Sequence, residues 1–221
     1  MTDLSNESTA SESTANESTA KNAKHKKAME KQKAKVDARV DEASIERGVL
    51  ILLTGNGKGK SSSAFGMVMR ALGYHHKVGV VQFIKGAQLS GEELYLKELA
   101  KQPDSNVDLY QMGTGFTWNT QDRTSDIEAA ERTWAVAEKM LQDESYNLVV
   151  LDELTYMIAY KYLDENRVLE ALKNSPVEQS VVVTGRGGGS ALQALADTVS
   201  EIKEVKHAFK AGIKARQGVD Y

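Results

Sequence analysis

Residues 49–63 read Val-Leu-Ile-Leu-Leu-Thr-Gly-Asn-Gly-Lys-Gly-Lys-Ser-Ser-Ser, and no other stretch constrains the fold so strongly. An apolar run of strand character delivers the chain into a glycine-lysine loop, and hydroxyl residues then open a helix. Glycines at 55, 57 and 59 permit positive φ and close backbone approach. Backbone N–H groups can therefore turn inward and cradle phosphate oxygens at the helix start, where the dipole favours anions. Lys60 stands where a Walker-type lysine reaches phosphates, and Ser61 where a hydroxyl ligates Mg²⁺. The bland alternative is a glycine-rich turn capping a helix, but strand, loop, Gly-Lys-Ser and helix occur in the order phosphate binding needs. One departure stands out: the usual pattern has a glycine five residues before the Gly59-Lys60 pair, where this chain has Thr54.

The rest of the chain fits one α/β domain with an amino-terminal extension. The 221 residues are 41% hydrophobic with a net charge of −3 and no cysteine, which excludes disulfides, thiolate metal sites and a cysteine nucleophile. No stretch approaches the ~18 apolar residues of a membrane helix, and the amino-terminal region is too polar for a secretory signal, so the expected compartment is the cytoplasm. The weakly acidic balance argues against a dedicated nucleic-acid binder. Residues 6–20 repeat Asn/Ser-Glu-Ser-Thr-Ala three times without one large apolar side chain, so residues 1–24 are expected to be disordered. From Lys21 to Arg47, nine Lys/Arg face five Asp/Glu, and residues 25–47 read as a basic helix. That helix is either solvated or, through the sparse apolar edge of Met29, Val36, Val40 and Ile45, a lid or dimer contact.

Residues 48–221 alternate apolar runs with amphipathic segments. Strands are expected at 49–54, 78–84, 107–111, 148–151, 180–184 and, weakly, 199–205. Helices are expected near 60–72, 92–101, 125–142, 164–174 and 190–196, the third opened by a capping box of Ser125 and Glu128. This order implies a mostly parallel sheet flanked by helices, with ligands at the strands' carboxyl ends.

Three further features belong at that edge. The run Asn147-Leu148-Val149-Val150-Leu151-Asp152-Glu153 ends a strand on two carboxylates that can serve Mg²⁺ or, in a hydrolase, supply a base at Glu153. Arg186, in Thr-Gly-Arg-Gly-Gly-Gly, and Arg70, near the end of the first helix after the loop, are candidate phosphate contacts. For Arg70 a surface ion pair explains the spacing equally well. Finally, Phe116 and Trp118 sit in a glycine-rich loop where nucleotide hydrolysis needs no aromatics. They either plug the core or present a flat apolar surface to a second ligand. His25, His75, His76 and His207 have no metal-ligand spacing.

Taken together, several segments resemble the P-loop type of ATP:corrinoid adenosyltransferase, the cob(I)alamin adenosyltransferases. They are 54–62 (TGNGKGKSS), 70–86 (RALGYHHKVGVVQFIKG), 115–121 (GFTWNTQ), 149–160 (VVLDELTYMIAY), 184–187 (TGRG), 196–199 (ADTV), 205–212 (VKHAFKAG) and 218–221 (GVDY). The resemblance covers roughly residues 35–221. It implies a RecA-like P-loop fold, a homodimer, and transfer of the 5′-deoxyadenosyl group of ATP to the Co(I) centre of a reduced corrinoid, releasing tripolyphosphate. It further implies ATP contacts from Gly55, Asn56, Gly57, Lys58, Gly59, Lys60, Ser61, Ser62 and Arg70. Lys60 and Arg186 would act on the departing phosphates, Ser61 and Glu153 would hold Mg²⁺ or Mn²⁺, and Phe116 and Trp118 would lie against the corrinoid's lower face. A flavodoxin-like reductase would supply the electron, and the amino-terminal helix would help cover the corrinoid. This chain departs from the family's pattern at Ser61-Ser62, where a threonine pair is common, at Gly188-Gly189-Ser190, where bulkier residues are common, and in its repeat. Two other readings stay open on the residues alone: an ATPase or kinase with Glu153 activating water or an acceptor, and a nucleotide-gated binding module using its basic helix.

Overall fold

The computed structural model describes residues 7–84, 89–113 and 123–221. It divides into two compact units, Met1–Glu46 and Arg47–Tyr221. The first consists of helix α1, Glu7–Glu42. The sequence reading expected disorder to residue 24, yet the helix starts inside the repeat and runs on without a boundary there. The repeat contains neither glycine nor proline, and its Glu and Ala residues are good helix formers, so no breaker separates it from the Lys- and Ala-rich segment that follows. Met29, Val36 and Val40 are all at least half exposed on this helix.

The second unit is built on six strands: β1 (Leu50–Thr54), β2 (Val78–Gln82), β3 (Val107–Gln111), β4 (Leu148–Asp152), β5 (Ser180–Thr184) and β6 (Thr198–Glu201). They lie in the order β3-β2-β4-β5-β1-β6, and every ladder is parallel. The continuous apolar runs follow from burial on both faces. Within β1, β2, β4 and β5, consecutive residues alternate between two cores: Leu52 against Leu53, Val81 against Val80, Val149 against Val150, Val183 against Val182. One core takes Ala64, Phe65 and Val68 from α2 (Lys60–Gly73) and Leu96 from α3 (Gly91–Leu99). The other gathers α4 (Arg123–Gln142), α5 (Leu154–Ala159), α6 (Glu165–Lys173) and α7 (Gly189–Leu195) around the fully buried Trp134. On α4 an apolar stripe is buried at Ala130, Trp134, Ala137 and Leu141, with Ile127 half-buried.

Element bounds differ from expectation in instructive ways. Ser125 is not an N-cap, because α4 is already helical at Arg123. A complete capping box forms instead on α3, where the Ser90 side chain accepts from the Glu93 N–H and the Glu93 carboxylate accepts from the Ser90 N–H at 2.7 Å. The strand expected over 199–205 stops at Glu201. Helix α5 was not anticipated, being only six residues long and apolar enough to read as a strand's continuation. A 3₁₀ turn at Ala208–Ala211 closes the list. Among the described residues no helix is long and apolar enough to cross a membrane.

Parallel pairing brings the carboxyl ends of all six strands to one edge. β1, which leads into the glycine loop, and β4, which ends in Asp152, are separated by β5 alone. Three of the predicted functional segments thus meet at adjacent strand ends.

Candidate functional site

The loop from Gly55 to Gly59 owes its curvature to backbone contacts with Ile202, the residue that follows β6. The Gly57 N–H donates to the Ile202 carbonyl at 2.7 Å. A Cβ at Gly55, whose φ is +99°, would lie 2.4 Å from that same carbonyl oxygen, and one at Gly57 would lie 2.7 Å from it. This explains the departure noted in the sequence: the glycine needed for close approach is at 55, while Thr54 completes β1 and donates its hydroxyl to the Gly187 carbonyl at 2.8 Å. Helix α2 begins at Lys60 behind Gly59, which has no side chain to cap it. The first N–H groups of the helix therefore face the cleft without an internal competitor, the arrangement that receives an anion.

Lys60 is buried, with Nζ donating to the Gly57 carbonyl at 2.9 Å. Burial lowers its pKa; the Glu153 carboxylate opposes that shift and the Arg186 guanidinium adds to it. Across the cleft, the two carboxylates following β4 have different duties. Asp152 spends both oxygens inside the protein: Oδ1 accepts from the Thr184 hydroxyl at 2.6 Å and Oδ2 from Gln82 Nε2 at 3.1 Å. Glu153 caps α5 with φ of 60°, and its N–H donates to Thr184 Oγ1 at 3.0 Å. Its Oε2 is buried and has no hydrogen-bond partner. Burial, reinforced by the neighbouring Asp152 charge, raises the Glu153 pKa to about 7, against the pull of Lys60 and Arg186.

Such an orphaned oxygen calls for a cation or water. The donors at hand are hard oxygens, Glu153 Oε2 and the Ser61 hydroxyl, both belonging to residues lining one cleft. That set suits Mg²⁺, which binds through one or two protein groups plus phosphate oxygens and retains several waters.

Arg186 is carried by the turn after β5. Gly185, at φ +139°, passes so close to α5 that a Cβ there would lie 2.0 Å from Thr155 Oγ1 and 3.3 Å from Glu153 Oε2. The Thr155 hydroxyl donates to the Arg186 carbonyl at 2.9 Å, fixing the turn and leaving the guanidinium exposed at the cleft.

The cleft has a volume of about 690 Å³ and is lined by Lys58, Gly59, Lys60, Ser61, Ser62, Asp152, Glu153 and Arg186 among the expected residues. Gly55, Asn56 and Gly57 shape the loop from outside that lining. Arg70 is exposed near the end of α2 and is not part of the lining either, since ten residues of helix carry it about 15 Å from Lys60. Phe116 and Trp118 lie outside the described residues. Sequence reasoning gave no site role to Gln82, Ser90, Glu93 and Tyr156, nor to the 218–221 segment that it matched only by resemblance, which reaches the cleft with Asp220 3.0 Å from Lys58 Nζ. The available signal was a polar residue, Gln82 or Gln111, ending an apolar strand at the ligand edge.

The model of the family described as ATP:corrinoid adenosyltransferase BtuR/CobO/CobP matches residues 46–221. The corrinoid adenosyltransferase of Pseudomonas aeruginosa is 53% identical over 192 residues, covering 87% of this chain and 93% of that protein. The Escherichia coli corrinoid adenosyltransferase is 51% identical, covering 87% and 95%. Among solved structures, the flagellar accessory protein FlaH from Methanocaldococcus jannaschii aligns over 72% of each chain at 13% identity with a TM-score of 0.46.

Proposed function

The chain belongs to the ATP:corrinoid adenosyltransferase family, and on that premise we propose how its cleft carries out the transfer. The enzyme moves the 5′-deoxyadenosyl group of ATP to the Co(I) centre of a reduced corrinoid. Cobalt supplies the electron pair of the new Co–C bond, the C5′–O bond breaks, and tripolyphosphate leaves with that bond's electrons. Since cobalt is the nucleophile, the protein has no general base to supply. Its tasks are to align C5′ with the metal, stabilise charge on the departing phosphates and exclude water.

The free N–H groups at the start of α2 bind the triphosphate. Lys60 and Arg186 place positive charge on it from opposite walls, and Ser61 and Ser62 add hydroxyls. Glu153 and Ser61 hold Mg²⁺ or Mn²⁺. When bound, the cation neutralises charge on the triphosphate. The observation that carries this reading is the buried, partnerless Glu153 Oε2 in the same cleft as the uncapped helix start. A buried carboxylate set beside Asp152, Lys60 and Arg186 serves packing less well than a neutral side chain would.

Phe116 and Trp118 form the platform for the corrinoid's lower face. A flavodoxin-like reductase delivers the electron, and the active form is a homodimer in the cytoplasm. Arg70, remote from the cleft within one chain, acts on phosphates only if binding or assembly brings it there.

Anaerobic incubation with ATP, Mg²⁺ and chemically reduced cobalamin tests the reading. The expected outcome is the light-sensitive alkylcobalt spectrum with intact tripolyphosphate; ADP and phosphate without alkylcobalt would overturn it. Replacing Phe116 and Trp118 together by alanine is expected to spare ATP binding. It should impair adenosylation from Co(II) far more than from pre-reduced Co(I).

A further inference from the structure

A buried chain of polar side chains crosses the sheet's carboxyl edge. Gln82, Gln111 and Asp152 are register partners at the last positions of β2, β3 and β4. Gln111 Nε2 donates to Gln82 Oε1 at 2.6 Å and also to the Glu93 carboxylate. Gln82 Nε2 donates to Asp152, Asp152 accepts the Thr184 hydroxyl proton, and Thr184 Oγ1 accepts the Glu153 N–H. Glu93, Gln82, Asp152 and Thr184 are all buried.

The direction of every bond in this chain is forced. A buried carboxylate stands at each end, so Gln82 turns its NH₂ toward Asp152 and its Oε1 toward Gln111, whose NH₂ donates one proton to Gln82 and the other to Glu93. With both Asp152 oxygens occupied, the Thr184 proton is committed to Asp152. Its lone pair is then left for the Glu153 N–H. Glu153 holds a left-handed backbone that a non-glycine residue keeps only where its surroundings impose it. At the far end, the second oxygen of Glu93 closes the capping box of α3, whose first residues line the cleft.

We propose that Gln82 and Gln111 are positioning residues for adenosyl transfer, holding Asp152 and Thr184 so that the left-handed turn aims the Glu153 carboxylate into the cleft. The relay makes the α3 wall and the metal-side carboxylate one rigid unit. It rests on the reading of Glu153 given above.

The test uses the full chain with pre-reduced cobalamin, measuring kcat, KM for ATP, melting temperature, and Mn²⁺ affinity by EPR in the presence of ATP. Gln82→Met keeps the volume and removes the bonds. It is expected to lower kcat and Mn²⁺ affinity about tenfold or more, with KM for ATP within about twofold. Gln111→Met should cost less, and the double variant should be no worse than Gln82→Met alone, because a series broken at one link is already broken. Losses that multiply in the double variant, or a Gln82→Met kcat within about twofold of the parent, would overturn the relay.

Thr184 supplies an independent check should Gln82→Met fold poorly. Thr184→Ser should retain kcat and Thr184→Val should lose it, and equal activity of the two overturns the proposal. Glu153→Gln separates the two levels. If it stays fully active, the reading of the site falls; if it is dead while Gln82→Met and Thr184→Val are active, the relay alone falls.

Discussion

The two halves of the ligand edge are built by different means. The β1–β5–β6 side is shaped by main chain: glycines pressed on the Ile202 carbonyl, an uncapped helix start, and a turn squeezed past Thr155 at Gly185. The β2–β3–β4 side is shaped by side chains, with Gln111, Gln82 and Asp152 bonded in sequence across the strand ends and tied at the boundary to Thr184 of β5. Main-chain construction tolerates almost no substitution at a few positions and therefore writes a motif. Side-chain construction asks only for compatible donors and acceptors, so it leaves a much fainter trace in sequence.

The comparison breaks most decisively at Lys60, a buried cation on the main-chain side. Lys60→Ala should remove about 3 kcal/mol or more of transition-state stabilisation, a loss of roughly 10²–10³ in turnover with little change in melting temperature. Near-normal turnover would mean the loop is not the phosphate site. Gly185→Ala probes the same side through sterics. With Thr155 Oγ1 2.0 Å from the new carbon and a positive φ, it should cost about 2–4 kcal/mol of stability, measured by denaturant unfolding.

Glu153→Gln sharpens the contrast, because here function and stability should move in opposite directions. The folded pKa of about 7 lies above the ordinary value of 4.5, so ionised Glu153 works against folding as pH rises through that interval. The glutamine variant should be more stable than the parent at pH 8, by up to about 2–3 kcal/mol without ATP and metal, while losing adenosylation. That advantage should shrink as pH falls from about 7 toward 4.5, where the parent carboxyl is neutral in the fold. A variant less stable than the parent at pH 8 would contradict the burial argument. The smallest effect is expected from Lys58→Ala. Its partner Asp220 and the lysine itself are well solvated, so the melting temperature should not change measurably, and calorimetry would show it.

These physical differences also decide what the sequence disclosed. The parallel sheet was legible because two-sided burial forces unbroken Val/Ile/Leu runs in its central strands, and strand 180–184 falls where the pattern put it. The placement of the glycine loop, Asp152, Glu153 and Arg186 at the strands' carboxyl edge was legible because close approach and strand-end position constrain residue type. Gln82 and Glu93 were not, since their role depends on register between distant strands and on a capping box placed at Ser90 rather than Ser125. Arg70 shows the limit of position along a helix as a guide: it was expected at the phosphates, and helix rise carries it away from the cleft lining within one chain. Composition reads the repeat as unable to join a core, and helix α1, which passes through it, is a lone helix that needs none.

The bond from the Gly57 N–H to the Ile202 carbonyl has a consequence for portability. A loop that borrows part of its floor from a strand near the other end of the chain is not a cassette. Grafted onto a different scaffold, residues 55–61 would keep every letter of their signature and lose the surface that bends them. Conversely, an insertion between α7 and β6 could silence the loop while leaving its own letters untouched. For chains like this one, the smallest inheritable unit of phosphate recognition is a pair of strands and the junctions beyond them.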